Sequence, residues 1–129
     1  MTSYPFIYQK FGLALRTVSR IAVLGFLVLI IVKTLEPAVG GTSWFFSDKV
    51  AHFTAYCALA FVSLPAFPRT KPLWVLLSLC VLGIVLEIAQ GVMGLGRTAS
   101  FWDAVANASG AFFALFIWWS LSKIAPKRG

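Results

Sequence analysis

Four long apolar runs divide the chain, and each is close to the roughly 20 residues that an α-helix needs to cross the hydrocarbon core of a bilayer. They cover about Thr17–Leu35, Lys49–Phe67, Leu73–Gln90 and Phe101–Ser122. A backbone in lipid has to satisfy its own hydrogen bonds, so a spanning segment is a helix or a strand of a closed barrel. None of the runs alternates apolar with polar residues, which argues against barrel strands. Composition agrees: the 129 residues are 60% hydrophobic and 12% charged, and a soluble chain of this length could not hide so much apolar surface. The expected fold is an all-α, integral membrane four-helix bundle, in one domain.

Prolines and charges mark where the runs stop. Pro37 closes the first, Pro68 and Pro72 bracket a tight loop after the second, and Pro65 is expected to kink the last turn of that second helix. The first run resembles a signal peptide in its basic front and in the small residues Ala38–Gly41. Lys33, Glu36 and Pro37 crowd the cleavage position, so an uncleaved first helix is expected. Lys10, Arg16, Arg20, Arg69, Lys71, Lys123, Lys127 and Arg128 are eight of the 11 basic residues and fall on one side of the runs. Lys33, Lys49 and Arg97 fall on the other, so both termini are expected in the cytoplasm. Trp44 and Trp102 would then lie at the outer interface, and Trp74, Trp118 and Trp119 toward the inner one. The net charge of +7 is thus a topology signal, which sets nucleic acid aside as a partner in favour of the lipid bilayer. Cys57 and Cys80 lie mid-run in different segments and read as small buried hydrophobes.

With this topology the starts of the second and fourth helices and the end of the third share the outer side. Asp48, Lys49, His52, Glu87, Gln90, Arg97, Asp103 and Asn107 then gather at one mouth, with the chain's only histidine and three of its 4 acidic residues. Helical spacing aligns Asp48, His52 and Tyr56 on one face, Gly83, Glu87 and Gln90 on a second, and Asp103, Asn107, Gly110 and Ala114 on a third. Each residue has an ordinary reading. Asp48 after Ser47 is a first-turn acid, Ser100 and Asp103 have the capping-box spacing, Arg97 is an interfacial charge, and His52 is a packing group. Glu87 fits such readings least, because it lies about a turn inside its run and needs a partner, with Arg97 and Lys49 in reach. Independent caps do not predict convergence, and ionisable groups in apolar helices are site candidates by default. Helices 2, 3 and 4 are therefore expected to converge, with His52, Glu87 and Asp103 within reach directly or through one water. Gly83 and Gly110 should lie at close helix contacts, the short loops should make helices 2–3 and 3–4 antiparallel neighbours, and helix 1 should pack peripherally.

The series Asp48-Lys49-x-x-His52-Phe53-x-x-Tyr56, then Glu87-x-x-Gln90, then Gly96-Arg97-x-x-Ser100-x-x-Asp103-x-x-x-Asn107-x-x-Gly110 resembles the VanZ-like family. It covers about half the chain, and no position of the pattern is missing. The resemblance implies a single VanZ-like transmembrane domain over residues 1–129, in a multi-pass protein of the bacterial cytoplasmic membrane. It also implies a link to resistance to the glycopeptide teicoplanin, through the family's named member. It brings no settled reaction and no cofactor with it. The chain also carries a weak internal likeness: Asp48-Lys49-Val50-Ala51-His52 matches Asp103-Ala104-Val105-Ala106-Asn107, as in a parallel repeat of two helix pairs.

Several chemistries fit this mouth. Gly94 and Gly96 follow an apolar helix and not a strand, so they are no dinucleotide fingerprint. No cysteine or serine has an evident base beside it, which leaves nucleophilic catalysis unsupported. His52 with Glu87 or Asp103 makes a general acid–base set, and these three are the catalytic candidates. A histidine with carboxylates also suits a divalent metal, but one histidine without a ligand motif does not select one, and no metal is assigned. Free N–H groups at the start of the fourth helix, with Arg97, Thr98 and Ser100, suit an anion such as a lipid phosphate, if the cations offset the acids. Asp48, Lys49, Tyr56, Gln90, Arg97, Ser100 and Asn107 are the corresponding binding candidates. The sequence thus supports a protein that binds or modifies an envelope-lipid or wall-precursor headgroup. Its alternative is a structural membrane protein whose polar cluster only fixes helix packing.

Overall fold

The computed structural model describes residues 6–37, 45–94 and 96–124, which fold into helices alone. The helices are α1 (Phe6–Leu35), α2 (Phe45–Ala66), α3 (Pro72–Met93) and α4 (Phe101–Ile124). All four are long and apolar enough to cross a membrane, which makes the chain a multi-pass membrane protein in architecture. The expectations for Ala38–Gly41, Trp44, Lys127 and Arg128, and for the side chains of Lys10 and Ser47, lie outside the described residues.

Several boundaries differ from the expected ones, and α2 begins at Phe45 and not at Lys49. α1 begins at Phe6 and not near Thr17, because nothing in Phe6–Arg16 breaks a helix and the basic front need not stop where the apolar run does. α3 continues past Gln90 to Met93. Gly91 stays helical, and the stop is Gly94, which takes the left-handed conformation at φ 63° that glycine adopts without steric cost. Pro65 sits one residue before the end of α2, and Arg20 Nε donates to the adjacent Ala66 carbonyl at 3.1 Å.

Side-chain contacts give the helix directions. Along α2 and α4 they run in the same order: His52 with Asn107, Phe53 with Phe113 and Phe61 with Trp118. The two helices are therefore parallel. Against α3 the order reverses, Glu87 meeting Ser100 and Gly83 meeting Asn107, so α3 and α4 are antiparallel. The most extensive interface is α2 on α4, not a pair joined by a short loop, and α2 touches α3 only lightly. Gly110 is the cause. A Cβ there would stand 2.1 Å from the Phe53 carbonyl oxygen, so the two backbones are in direct contact. α1 packs on α2 and the edge of α3 through Ser19, Val23 and Ile30 and, among the described residues, makes no contact with α4, but its interface with α2 is more extensive than that of α3 with α4.

The core is correspondingly thin. Leu59, Ala60, Ala66, Ala111 and Ala114 are its most buried members. Leu24, Val28 and Val32 of α1, Val81, Ile84 and Ile88 of α3, and Phe112 and Phe116 of α4 face outward, an arrangement suited to acyl chains and not to water. All four acidic residues lie at one end, that of the α1 and α3 C-termini and the α2 and α4 N-termini. Arg16, Arg20, Arg69, Lys71 and Lys123 lie at the other.

Candidate functional site

The polar residues of α2 and α4 meet at the acidic end. Lys49 Nζ donates to Asp103 Oδ1 across the interface and lies 3.3 Å from Asp48 Oδ2. Asp103 is buried, and a carboxylate in that position requires such a partner. One helical turn deeper, His52 Nδ1 is 2.9 Å from Asn107 Oδ1, while His52 Nε2 faces Asp48 Oδ1 at 3.8 Å and Asp103 Oδ2 at 3.7 Å. Tyr56, the next residue on that face, is buried, and its ring packs over Gly83. Asn107 is wedged against the same glycine: a Cβ on Gly83 would lie 3.1 Å from Asn107 Nδ2. Glycine at position 83 thus makes room for the amide that holds the imidazole.

Glu87 reaches the cluster by another route. Its Oε2 accepts the Ser100 backbone N–H at 3.0 Å, and the Ser100 hydroxyl accepts the Asp103 N–H at 3.3 Å. In a capping box the acid three residues into the helix would take the Ser100 N–H. Here an acid from α3 takes that place, and the Asp103 carboxylate is left free for Lys49 and His52. The partner of Glu87 is therefore a helix N-terminus, not the cation expected for it; among the described residues it forms no ion pair. The charge is suitably placed, since the N-terminal end of α4 is electropositive.

Two candidates lie apart from the cluster. Gln90 donates to the Thr34 carbonyl at 2.9 Å and ties α3 to α1. Its amide faces α1 because α3 continues another turn beyond it. Arg97 is half-buried in the loop before α4 and lies toward the end of α1. There Lys33 holds the Glu36 carboxyl below its usual range, first by a 2.9 Å hydrogen bond and then by charge, and Arg97 adds to the effect. His52, Asp103, Asp48, Lys49, Asn107, Tyr56, Ser100 and Glu87 thus form one connected group, and Gln90 and Arg97 flank it. The Thr34 carbonyl escaped sequence reasoning, because a backbone acceptor carries no side-chain signal. Gly91, just past the expected end of the third run, is a packing glycine: a Cβ there would stand 3.0 Å from the Ala99 Cβ, where the loop folds back on α3.

The cluster is open on one side. The Asp48 side chain is 33% exposed, Lys49 18% and His52 15%, whereas Asp103 is 9%. Beside it, an apolar groove of about 340 Å³ runs along α2, lined by Phe26 of α1 and by Phe53, Cys57, Ala58, Phe61 and Val62. No protein-family model matches the chain, and no curated protein or solved structure matches it either.

Proposed function

We propose that this chain is a VanZ-like multi-pass protein of the bacterial cytoplasmic membrane, with both termini in the cytoplasm. In this reading the Asp48–Lys49–His52–Asp103 mouth opens on the outer face and binds or modifies the headgroup of an envelope lipid or a lipid-linked wall precursor. The observation that carries this is the one-sided opening of the cluster. Polar groups that only lock helices together are best sealed from solvent, yet an ammonium, a carboxylate and the single imidazole all reach the surface of one mouth. The Lys49 ammonium supplies a cationic donor for a phosphate or carboxylate headgroup. The groove along α2 is apolar, which suits it to an acyl chain. His52 beside Asp103 is the acid–base pair if the headgroup is chemically changed. A link to glycopeptide resistance follows from the family resemblance alone.

A second reading has its own support. Among the described residues no buried side-chain N or O lacks a hydrogen-bond partner, as expected of a network that specifies packing. The test is His52→Gln, combined with native mass spectrometry of co-purifying lipid. Wild-type stability and accumulation with loss of bound lipid supports a headgroup site. Loss of folded protein, or lipid retained at wild-type occupancy, supports the structural reading.

A further inference from the structure

The surroundings of His52 imply something positive at a defined point. Its Nδ1 faces the Asn107 amide oxygen, which can only accept, so Nδ1 carries the hydrogen. In the neutral ring Nε2 then keeps a lone pair, and the tautomer is set by Asn107. That lone pair is aimed at Asp48 Oδ1 and Asp103 Oδ2 at 3.8 and 3.7 Å, both beyond hydrogen-bond length. Among the described residues Nε2 has no other partner. Three electron-pair donors facing one another require a positive centre between them, either a proton on Nε2 or a bound cation. Lys49 does not fill that position: it engages the other oxygens of the two carboxylates, Asp48 Oδ2 and Asp103 Oδ1. It holds both carboxylates in place and leaves their second oxygens turned toward the ring.

We infer that Asp48, His52 and Asp103 form a divalent-cation site, with Asn107 as the positioning residue that orients the imidazole. The three donor atoms lie within 4.8 Å of one another. Metal–ligand bonds of about 2.0–2.2 Å separate neighbouring ligands by roughly 3–3.5 Å, so a small inward movement closes the set. One imidazole nitrogen with two carboxylate oxygens suits Mn²⁺ or Zn²⁺ better than Ca²⁺, whose sites are built from oxygens alone. Three protein ligands leave coordination positions open toward the mouth. This inference does not depend on the headgroup reading, because a cluster that only ties helices could hold the ion equally well.

The test uses the full-length chain without a histidine tag, in detergent, stripped by chelator and dialysed against Mn²⁺ or Zn²⁺. The expected result is one ion per chain and a raised Tm. The Mn²⁺ electron spin echo should show coupling to a single imidazole nitrogen. His52→Gln and Asp103→Asn should each weaken binding about 10-fold or more, and Asn107→Ala about 10- to 100-fold while keeping the nitrogen coupling at saturating Mn²⁺. Absence of a stoichiometric ion in the wild type, an ion without nitrogen coupling, or binding that survives both ligand substitutions overturns the site. The wild-type measurements decide the matter even where a variant fails to fold, and they read the ion and not a lipid, so failure of the headgroup reading leaves them untouched.

Discussion

Glu87 shows how the value of one residue depends on what it accepts. Its carboxylate closes the N-terminus of α4 from a different helix, through the Ser100 N–H. Glu87→Gln keeps an acceptor in place and should cost about 0.3–1 kcal/mol, the charge–dipole part of the interaction. Glu87→Leu leaves the N–H without a partner and should cost roughly 1–3 kcal/mol, and Glu87→Lys more still, because a cation then meets the positive end of a helix. Melts in detergent give the order; equal stability of the leucine and lysine variants would place Glu87 in open water. Lys49 supports a second prediction at this scale. Lys49→Met strands the buried Asp103 carboxylate and should cost about 3–5 kcal/mol, while Lys49→Met with Asp103→Asn should recover most of the loss. A double variant no better than the single one would show that Asp103 does not depend on this partner. The grouping of Asp48, His52, Asp103 and Asn107 was legible in the sequence, because helical spacing and alternating topology together bring them to one end. The partner of Glu87 was not legible. Charge suggests a cation, and only the path of the loop reveals a backbone amide.

Among the helices, the feature with the largest consequence is the parallel contact of α2 and α4. Gly110 has the Phe53 carbonyl where a Cβ would be, and backbone cannot move aside as a side chain does. Gly110→Ala should therefore abolish the folded protein. Gly83→Ala meets the flexible Asn107 amide at 3.1 Å and should be milder, though it disturbs His52. Gly25 has nothing within 4 Å, so Gly25→Ala should be neutral or stabilising by up to about 1 kcal/mol through helix propensity. Size-exclusion profiles and melts of the three variants check the ranking; a folded Gly110→Ala protein would mean that the two backbones are not in contact. Helix number and approximate bounds could be read from apolar run length, and the close contacts at Gly83 and Gly110 from small residues beside polar ones. The dominance of α2 on α4 could not, because loop length reports only on sequential neighbours. The internal likeness pointed closer: its matched positions His52 and Asn107 touch each other across this interface.

The whole molecule carries its charge asymmetrically. Lys33, Lys49, Arg97 and all four acidic residues lie at one end, and Arg16, Arg20, Arg69, Lys71 and Lys123 lie at the other. Short loops with that bias orient a bundle with the basic end in the cytoplasm. An alkaline phosphatase fusion in the loop of residues 94–100 should be active and one after Gly129 inactive; the reverse pattern would turn the polar mouth to the cytoplasm. The parallel pairing of the second and last helices also sets an order of events during synthesis. Asp48, Lys49 and His52 enter the bilayer with α2, but Asp103 and Asn107 do not exist until the ribosome has made α3 and the loop beyond it. Until then Lys49 and His52 have Asp48 but lack their partners Asp103 and Asn107 on α4. A chain truncated before Phe101 therefore bears an exposed mark of incompleteness, and the membrane's quality-control proteases should clear it much faster than the finished protein. Resistance to those proteases should therefore appear only once α4 is in place.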